Sequence, residues 1–305
     1  SLTKLTLNGT AEIGTIETST NNITNSKFIT IASGFAPATT ISVLVSMSYI
    51  GSQVYPSEDM QVATVEDGAS INGKLVYYNT DFSISDDGKL AGPPEAEYSY
   101  SYYNSTEGFV TTTKKGSFQD AVTAIKNSSN AGTIKILANS IDLKQTASFP
   151  YETTITSDHD VTFTKGFTGG PMFELPSASS KNLVSFTADA NYNITIVGAN
   201  DGDNPVFSMP TSSTGRKLDL TNVTIQDNTV SGNGGAIRLT NDAGVKLTNV
   251  TIQHCSAGGY GGAVYHEDCG NNVGGVKCEN VIFNNNNAKG GSAIYVDGVT
   301  GMSTD

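Results

Sequence analysis

The C-terminal part of the chain repeats one pattern of alternating apolar and polar residues. Three nine-residue segments share it: LDLTNVTIQ at 218–226, VKLTNVTIQ at 245–253 and VKCENVIFN at 276–284. A glycine-rich segment and a second apolar run follow each of them, at 234–237, 261–264 and 290–294. Alternation with a period of two predicts strands that bury one face. Two such runs in every 27 or 31 residues predict one coil of a solenoid.

Aligning the three units places apolar residues in shared rows. A single coil cannot bury its inward side chains, whereas stacked coils about 4.8 Å apart can. We therefore expect the rows to point into the solenoid. They are Leu220, Leu247 and Cys278, then Val223, Val250 and Val281, then Ile225, Ile252 and Phe283.

The position three residues after the last apolar row holds Asn228, Cys255 and Asn286. An inward asparagine at a corner can form hydrogen bonds with the coils above and below it. Asn228 and Asn286 are therefore predicted to belong to a polar corner ladder. The paired glycines that follow permit the positive φ of a tight bend before the next strand.

The combination of I/F-x-x-N with a following GGA-I/V resembles the repeats of polymorphic outer-membrane-protein-type and related adhesin-like β-helix proteins. The motifs lie at 225–228 with 234–237, and at 283–286 with 290–294. The middle unit has Cys255 in place of the asparagine, and the last unit inserts Ser292 before Ala293. The resemblance covers about residues 216–297 and implies an all-β fold, a right-handed parallel β-helix at the cell surface.

Weaker repeats at 153–175 and 183–209 extend the solenoid toward the N-terminus. Before them, Ser117 and Asp120 resemble a helix capping box. The face of that predicted helix carries Phe118, Ala121, Val122 and Ile125. We predict a short N-terminal capping helix, a strand over 133–138, and a β-helix over 116–305 that is truncated at its C-terminus.

Residues 1–90 are rich in predicted strands but lack a clear repeat. Turn signals such as Asp67-Gly68 and Asp87-Gly88 separate the strands. This region is either a few further coils or a separate small β-domain. Residues 91–115, from Gly92-Pro93-Pro94 to Lys114-Lys115, are predicted to be a linker.

Charge restricts the partners of the protein. The chain has 17 basic and 29 acidic residues and a net charge of −12. Without a basic stripe to displace counterions, no nucleic-acid partner is expected, and anionic membrane surfaces are disfavoured. No run approaches 18 apolar residues, so no membrane span is predicted. The chain begins at Ser1 without a signal peptide, and we expect a mature or trimmed piece of an extracellular protein.

Five potential metal ligands lie within 25 residues: His254, Cys255, His266, Cys269 and Cys278. No C-x-x-C spacing is present, and two of the cysteines occupy inward rows, where a thiol packs as a small apolar group. His266 and Cys269 fall in the loop between coils. We favour core packing of Cys255 and Cys278 over a disulfide of Cys269. A metal site is the least favoured reading, and no cofactor is predicted.

Alternation places Tyr98, Tyr100 and Tyr102 on one face of a strand. Such a stripe is a candidate binding surface for a sugar or a protein. The alternative is that the strand packs this aromatic face on the end of the solenoid. Asn-x-Ser/Thr triplets, which are glycosylation candidates in a eukaryote, begin at Asn8, Asn22, Asn104, Asn127, Asn193, Asn222 and Asn249.

Parallel β-helices include pectate lyases and polygalacturonases, so catalysis has to be considered. Those chemistries need carboxylates grouped on adjacent coils. Asp219, Asp227 and Asp242 do not share a register position, and no catalytic residues are predicted. The segment Asp201-Gly202-Asp203-Asn204 resembles part of a calcium loop, but it lacks the spaced acidic ligands and is predicted to be a polar turn.

Three functions remain. The first is an adhesin-like or stalk module that binds an extracellular protein or glycan. The second is a structural subunit of an extracellular filament or coat, which would bind copies of itself. The third is a carbohydrate-active enzyme or glycan-binding module, which carboxylates aligned on one outward face would favour. We predict the first, because the Gly-Gly-Ala repeats resemble adhesin repeats and no catalytic set is present.

Overall fold

The computed structural model describes residues 5–10, 15–19, 29–46, 61–71, 74–77, 83–92, 94–175, 183–209, 217–240, 243–267 and 275–297. These residues form a β-solenoid of short strands, which confirms the predicted all-β parallel β-helix. The chain divides into two compact units. The first contains residues 1–95 and 114–117, and the second contains residues 96–113 and 118–305.

The first unit contains two small parallel sheets. One sheet has the order β1 (Leu5–Leu7), β3 (Ile29–Ile31), β5 (Ala63–Val65), and the other has the order β2 (Thr15–Ser19), β4 (Ile41–Ser46), β6 (Leu75–Tyr77). A short antiparallel pair follows, β7 (Ser83–Ile84) and β8 (Leu90–Ala91). Alternate strands thus stack on one another in coils, and their buried core includes Ile29, Ile31 and Ile41.

The second unit begins with β9 (Ala96–Asn104) and most of β10 (Gly108–Gly116), which form a hairpin. Helix α1 (Phe118–Ser128) follows, and its buried residues are the four of the predicted helical face. The ring of Phe118 packs edge-on against Phe149 at 6.4 Å and Phe163 at 5.1 Å between centroids. The helix therefore covers apolar side chains at the start of this solenoid, which would otherwise face water.

Three columns of parallel strands form the coils of the second unit. The first column holds β11 (Gly132–Ile136), β14 (Thr153–Ser157), β17 (Leu183–Ala188), the first halves of β20 (Lys217–Gln226) and β23 (Gly244–Gln253), and β26 (Gly275–Glu279). The second holds β12 (Ser140–Leu143), β15 (Val161–Lys165), β18 (Ile194–Val197), the second halves of β20 and β23, and β27 (Ile282–Asn284).

The third column holds β13 (Ala147–Ser148), β16 (Phe173–Glu174), β19 (Phe207–Ser208), β22 (Ile237–Thr240), β25 (Val264–Glu267) and β28 (Ile294–Val296). A further short pair, β21 (Thr229–Val230) and β24 (Ser256–Ala257), stacks at a corner. Each residue in a column lies next to its counterpart one coil away. Any regularity of the sequence repeat is therefore displayed as a continuous row on the surface or in the core.

The interior changes in character along the solenoid. In the earlier coils it is aromatic: the ring of Phe173 lies 4.9 Å from Phe207 and 5.0 Å from Phe186 between centroids. In the later coils it is aliphatic, with Leu220 paired to Leu247 and Ile225 paired to Ile252. Burial of a side chain of this size stabilises the fold by about 1.5–3 kcal/mol, so the stacked rows account for much of the driving force.

Residues 91–115 do not form the predicted linker. They contain the hairpin, and β9 pairs antiparallel with β11, with Tyr98 opposite Ile134. The tyrosine-serine alternation that looked like linker composition is the period-two pattern of a strand with one packed face. The hairpin thereby extends the first column of the solenoid beyond β11.

The last glycine segment was misaligned in the sequence prediction. Val264 pairs with Ile294, so Gly291-Ser292-Ala293 matches Gly261-Gly262-Ala263, and Ser292 replaces a glycine instead of being inserted. The first glycine of each corner has positive φ: 72° at Gly234, 69° at Gly261 and 58° at Gly291. The second glycine is required for stacking, because a Cβ on Gly262 would overlap the carbonyl oxygen of Ser292 in the next coil.

Candidate functional surface

The outward side chains of the third column form two neighbouring rows near the C-terminal end. Strand register places Arg238, Tyr265 and Tyr295 in one row. In the other row Thr240 pairs with Glu267. Asp297 continues this row, because Val296 pairs with His266 and the next residue of each strand is Asp297 and Glu267. Both carboxylates are exposed. The strands therefore bring two carboxylates from adjacent coils to one outward face, an alignment that the sequence prediction missed.

A stack of tyrosine rings lies beside these carboxylates. The ring of Tyr295 stacks on Tyr260 at 4.5 Å and on Tyr265 at 5.9 Å between centroids, with interplanar angles of 26° and 10°. The Tyr265 hydroxyl donates to Oδ2 of Asp297 at 3.4 Å. Burial, followed by the negative charges of Glu267 and Asp297, raises the pKa of Tyr265. The hydroxyl is thus close to both carboxylates.

The polar segment 201–204 forms a turn held by ion pairs. Oδ2 of Asp201 accepts hydrogen bonds from Nζ of Lys165 at 2.6 Å and from the backbone N–H of Gly169 at 2.8 Å. These two bonds, that of Lys165 first, lower the pKa of Asp201. Asp203 pairs with Arg238 and accepts a hydrogen bond from the Gly232 N–H at 3.0 Å. The acidic side chains of this turn therefore tie neighbouring coils together.

The three predicted tyrosines of β9 share one face, and their exposure rises along the strand. Tyr98 is buried at 5% exposure, Tyr100 is half-buried, and Tyr102 is exposed at 37%. Their rings follow one another at 6.3 and 6.2 Å between centroids. The inner end of this stripe packs on the core, and only its outer end faces solvent.

The opposite face of the hairpin carries hydroxyl groups and two exposed aromatic rings. Ser99 bonds to Thr113 at 2.7 Å and Ser101 to Thr111 at 2.8 Å across the strands. Beyond them, Tyr103 and Phe109 are 68% and 72% exposed and pack edge to face at 5.6 Å. Nothing in the tyrosine alternation pointed to this face.

The two predicted corner asparagines bond to the backbone of the preceding coil. Oδ1 of Asn228 accepts from the N–H of Ala199, and Oδ1 of Asn286 accepts from the N–H of Cys255, both at 2.9 Å. Asn228 also donates to the carbonyl of Gly235 at 2.6 Å, within its own coil. Each asparagine thus satisfies a corner N–H group of its neighbour. The Asn228 side chain needs Gly198 beneath it, because a Cβ there would overlap the amide.

A second asparagine ladder lies on the outside of the solenoid and was missed. Asn222, Asn249 and Asn280 have φ of 56°, 53° and 53° at the bend between the first and second columns, within β20, within β23 and between β26 and β27. Nδ2 of Asn249 donates to Oδ1 of Asn222 at 3.1 Å, and Nδ2 of Asn280 donates to Oδ1 of Asn249 at 3.2 Å. Asparagine tolerates this left-handed conformation better than most residues. The signal was present in the sequence as an asparagine at the fifth position of all three segments.

The candidate metal ligands lie at different places in the coil. His254 is half-exposed at a corner beside Asp227, with 3.3 Å between Nδ1 and Oδ1. His266 was predicted in a loop, but it lies in β25 and points inward next to Leu239 with no exposed surface. Cys269 lies outside the described residues. Within the described part of the chain, no group of three or more His, Cys, Asp or Glu residues is arranged to hold a metal.

The two described cysteines differ in burial. Cys255 is fully buried, and burial raises the pKa of its thiol to about 12. Cys278 pairs with Leu247 in the inward row, yet it is exposed instead of being packed in the core as predicted. The reason is its place in the last described coil, where no further described coil covers the row.

The described glycosylation candidates occupy varied positions. Asn8 and Asn127 are exposed, and Asn104 lies at the hairpin turn, where Oδ1 accepts from the Thr106 N–H at 2.8 Å. Asn193 bonds to the Thr195 hydroxyl at 2.9 Å. Asn222 and Asn249 belong to the outer ladder, and Asn22 lies outside the described residues. Glycosylation at these sites stays a prediction.

The outward faces of the first two columns carry rows of threonine. One row contains Thr156, Thr187, Thr221 and Thr248, and the other contains Thr162, Thr195, Thr224 and Thr251. Beside the second row, Nε2 of Gln253 donates to Oε1 of Gln226 at 3.0 Å. These threonines and glutamines therefore present uncharged groups that form hydrogen bonds. Among the described residues, no helix is long and apolar enough to span a membrane.

Residues 222–240 match the Chlamydia polymorphic membrane protein repeat. They span the second half of β20, β21 and the whole of β22, which are the second column, a corner and the third column of a single coil. The matched repeat and the β-solenoid together fit a polymorphic outer-membrane-type β-helix protein. The matched family consists of non-enzymatic surface proteins and points to an outer-membrane or surface location. No curated protein and no solved structure matches the chain.

Proposed function

We propose that this chain is an adhesin-like module of an extracellular surface protein, which binds a protein or glycan through the outward faces of its coils. The observation that carries the proposal is the surface-protein repeat at 222–240, which lies within regular coils. Repeat solenoids present extended, rigid surfaces and are suited to contact with large partners. The stalk role, in which the module only spaces another domain from the cell, is the less specific form of the same proposal.

The character of the surface supports a binding role. Hydroxyl and amide side chains form long rows on the first two columns, and rings of Tyr103, Phe109 and Tyr260 are exposed. Tyrosine supplies a large contact area at low conformational cost, and hydroxyl groups provide adaptable hydrogen bonds. The net charge of −12 favours neutral or basic partners over nucleic acids and sulfated polymers.

The test is attachment of beads coated with the whole chain to animal cells and to extracellular-matrix proteins. Saturable attachment that the soluble chain inhibits, and that heat-denatured chain does not reproduce, is the expected result. Attachment no greater than that of beads coated with denatured chain contradicts the proposal. Electron microscopy and light scattering on the same sample measure assembly. Regular fibres or end-to-end strings would replace the adhesin proposal with that of a filament subunit.

A further inference from the structure

The face formed by the tyrosine stack and the two aligned carboxylates has features that packing alone does not require. Tyr265 is buried at 4% exposure and contributes to the fold, but Tyr260 is 43% exposed. Glu267 and Asp297 are exposed on adjacent coils beside the rings. Two like charges one coil apart repel each other, so their alignment offers no gain in stability. An aromatic surface flanked by hydrogen-bond acceptors is instead the composition of a ligand site.

We propose that Tyr260, Tyr295, Glu267 and Asp297 form a binding site for an uncharged pyranose sugar of a glycan chain. The inference rests on the proposed function as a surface module and specifies its ligand. One face of a pyranose is lined by C–H groups, which pack on the electron-rich face of an aromatic ring. Its vicinal hydroxyls can donate hydrogen bonds, and ionised carboxylates can accept them.

Charge selects among glycans. The two carboxylates and the net charge of −12 disfavour sulfated sugars and uronic acids, whose anionic groups would lie against Glu267 and Asp297. Arg238, the cation in the neighbouring tyrosine row, is already paired with Asp203. A neutral sugar therefore satisfies the acceptors without repulsion. A basic protein segment is the competing ligand, and the experiment distinguishes it.

The two rings and Asp297 are held by contacts with the neighbouring coil. Tyr295 lies on β28, and the Asp297 N–H donates to the His266 carbonyl at 2.8 Å. Tyr260 lies over Gly290, where a larger residue would approach the ring. Side chains held by strands lose little conformational entropy when a ligand binds. The glycines of the corner thus leave room for the ring that the sugar contacts.

The experiment uses the whole chain on an array of neutral, sialylated and sulfated oligosaccharides and arginine-rich peptides. The strongest neutral oligosaccharide is then titrated calorimetrically. Tyr260→Ala, Glu267→Gln and Asp297→Asn are each expected to weaken its binding about tenfold, the loss of a contact near the centre of a site. Tyr192→Ala and Glu107→Gln are the matched controls, a ring that is 41% exposed and an exposed carboxylate on the hairpin, and should change the affinity less than about twofold.

Circular dichroism of each variant establishes that the fold is intact. Binding only to sulfated glycans or only to arginine-rich peptides would overturn the proposal, as would neutral-glycan binding that none of the three variants weakens. Cell attachment separates the two levels of inference. If the wild type attaches to cells but neutral-glycan binding is absent or is weakened by none of the three variants, the sugar site is wrong and the adhesin function stands. If the wild type does not attach, the adhesin function fails regardless of the array.

Discussion

Oδ1 of Asn286 accepts a hydrogen bond at 2.9 Å from the backbone N–H of Cys255, the residue that occupies the same corner one coil earlier. Asn228 makes the same contact, at the same distance, with Ala199 in the coil below it. The corner ladder is therefore a series of side-chain amides that each satisfy the backbone of the preceding coil. At Cys255 the series is interrupted, and a thiol takes the amide position above Asn228.

Replacing Cys255 with asparagine should complete the ladder. The new amide oxygen would accept from the Asn228 N–H. Room for it exists, because Asp227, the residue before that donor, has a φ of 58°, close to the 53° of His254, which precedes the donor to Asn286. We expect Cys255→Asn to raise the free energy of unfolding by about 1 kcal/mol, the net value of one hydrogen bond. Denaturant unfolding followed by circular dichroism measures it. Cys255→Ala is the control and should lower the stability. Equal stability of the two variants would contradict the ladder mechanism.

The thiols should differ in reactivity. Burial raises the pKa of the Cys255 thiol to about 12, and Cys278 is exposed. Since the thiolate is the reacting form, a disulfide reagent at pH 8 should modify Cys278 rapidly and Cys255 only on unfolding. The measurement uses a Cys269→Ser background, with Cys278→Ser added as the control. Rapid modification of the Cys278→Ser variant under native conditions would show that Cys255 is accessible.

The second glycine of a corner should be intolerant of a side chain wherever another coil covers it. A Cβ on Gly235 would overlap the carbonyl oxygen of Gly262, which is backbone and unable to move aside. Gly235→Ala is therefore expected to destabilise the protein by about 3 kcal/mol, at the upper end of overpacking costs. Ser292→Ala, at the same register position in the last described coil, is the control and should change the stability by less than about 0.5 kcal/mol. Comparable losses for the two variants would contradict this account.

The Lys165–Asp201 pair should make stability depend on acid pH. Lys165 is 1% exposed, and its hydrogen bond to Asp201 holds the pKa of that carboxyl below the ordinary value of 3.8. A carboxyl whose pKa is lower in the folded than in the unfolded state stabilises the protein above pH 3.8. This contribution is lost as the pH falls through the folded-state pKa. Asp201→Asn should therefore lower the melting temperature at pH 7 and converge with wild type toward pH 2.

Thermal unfolding between pH 2 and 7 measures this convergence. Asp219→Asn is the control, an outward carboxylate on β20 that lies opposite Lys246 in the next coil. It should follow the wild-type curve within a few degrees throughout. A constant offset of Asp201→Asn from wild type at every pH would show that the effect is steric and not due to ionisation.

The outer asparagine ladder illustrates what a single sequence could have supplied. Three repeats place asparagine at the fifth position of each segment, directly before a valine, which is enough to predict a left-handed bend. The tyrosine-serine alternation likewise contained the strand pattern of β9, and it did predict Tyr98, Tyr100 and Tyr102 on one strand face, although 91–115 as a whole was predicted to be a linker. The asparagine ladder was missed, although the local pattern was sufficient to predict it. The burial of His266 was harder to predict from sequence, because it depends on where β25 ends and the following loop begins.

The sequence by itself determined the coil. Period-two alternation in each repeat forces each unit to present one apolar face, and only stacking on a like unit buries that face. It could not determine how outward residues of the third column combine, because the loops between the coils differ in length. Glu267 and Asp297 are 30 positions apart, whereas Arg238 and Tyr265 are 27 apart, and only the strand register aligns them. The tertiary structure decided the face on which the stacked rings of Tyr260, Tyr265 and Tyr295 lie beside the two carboxylates.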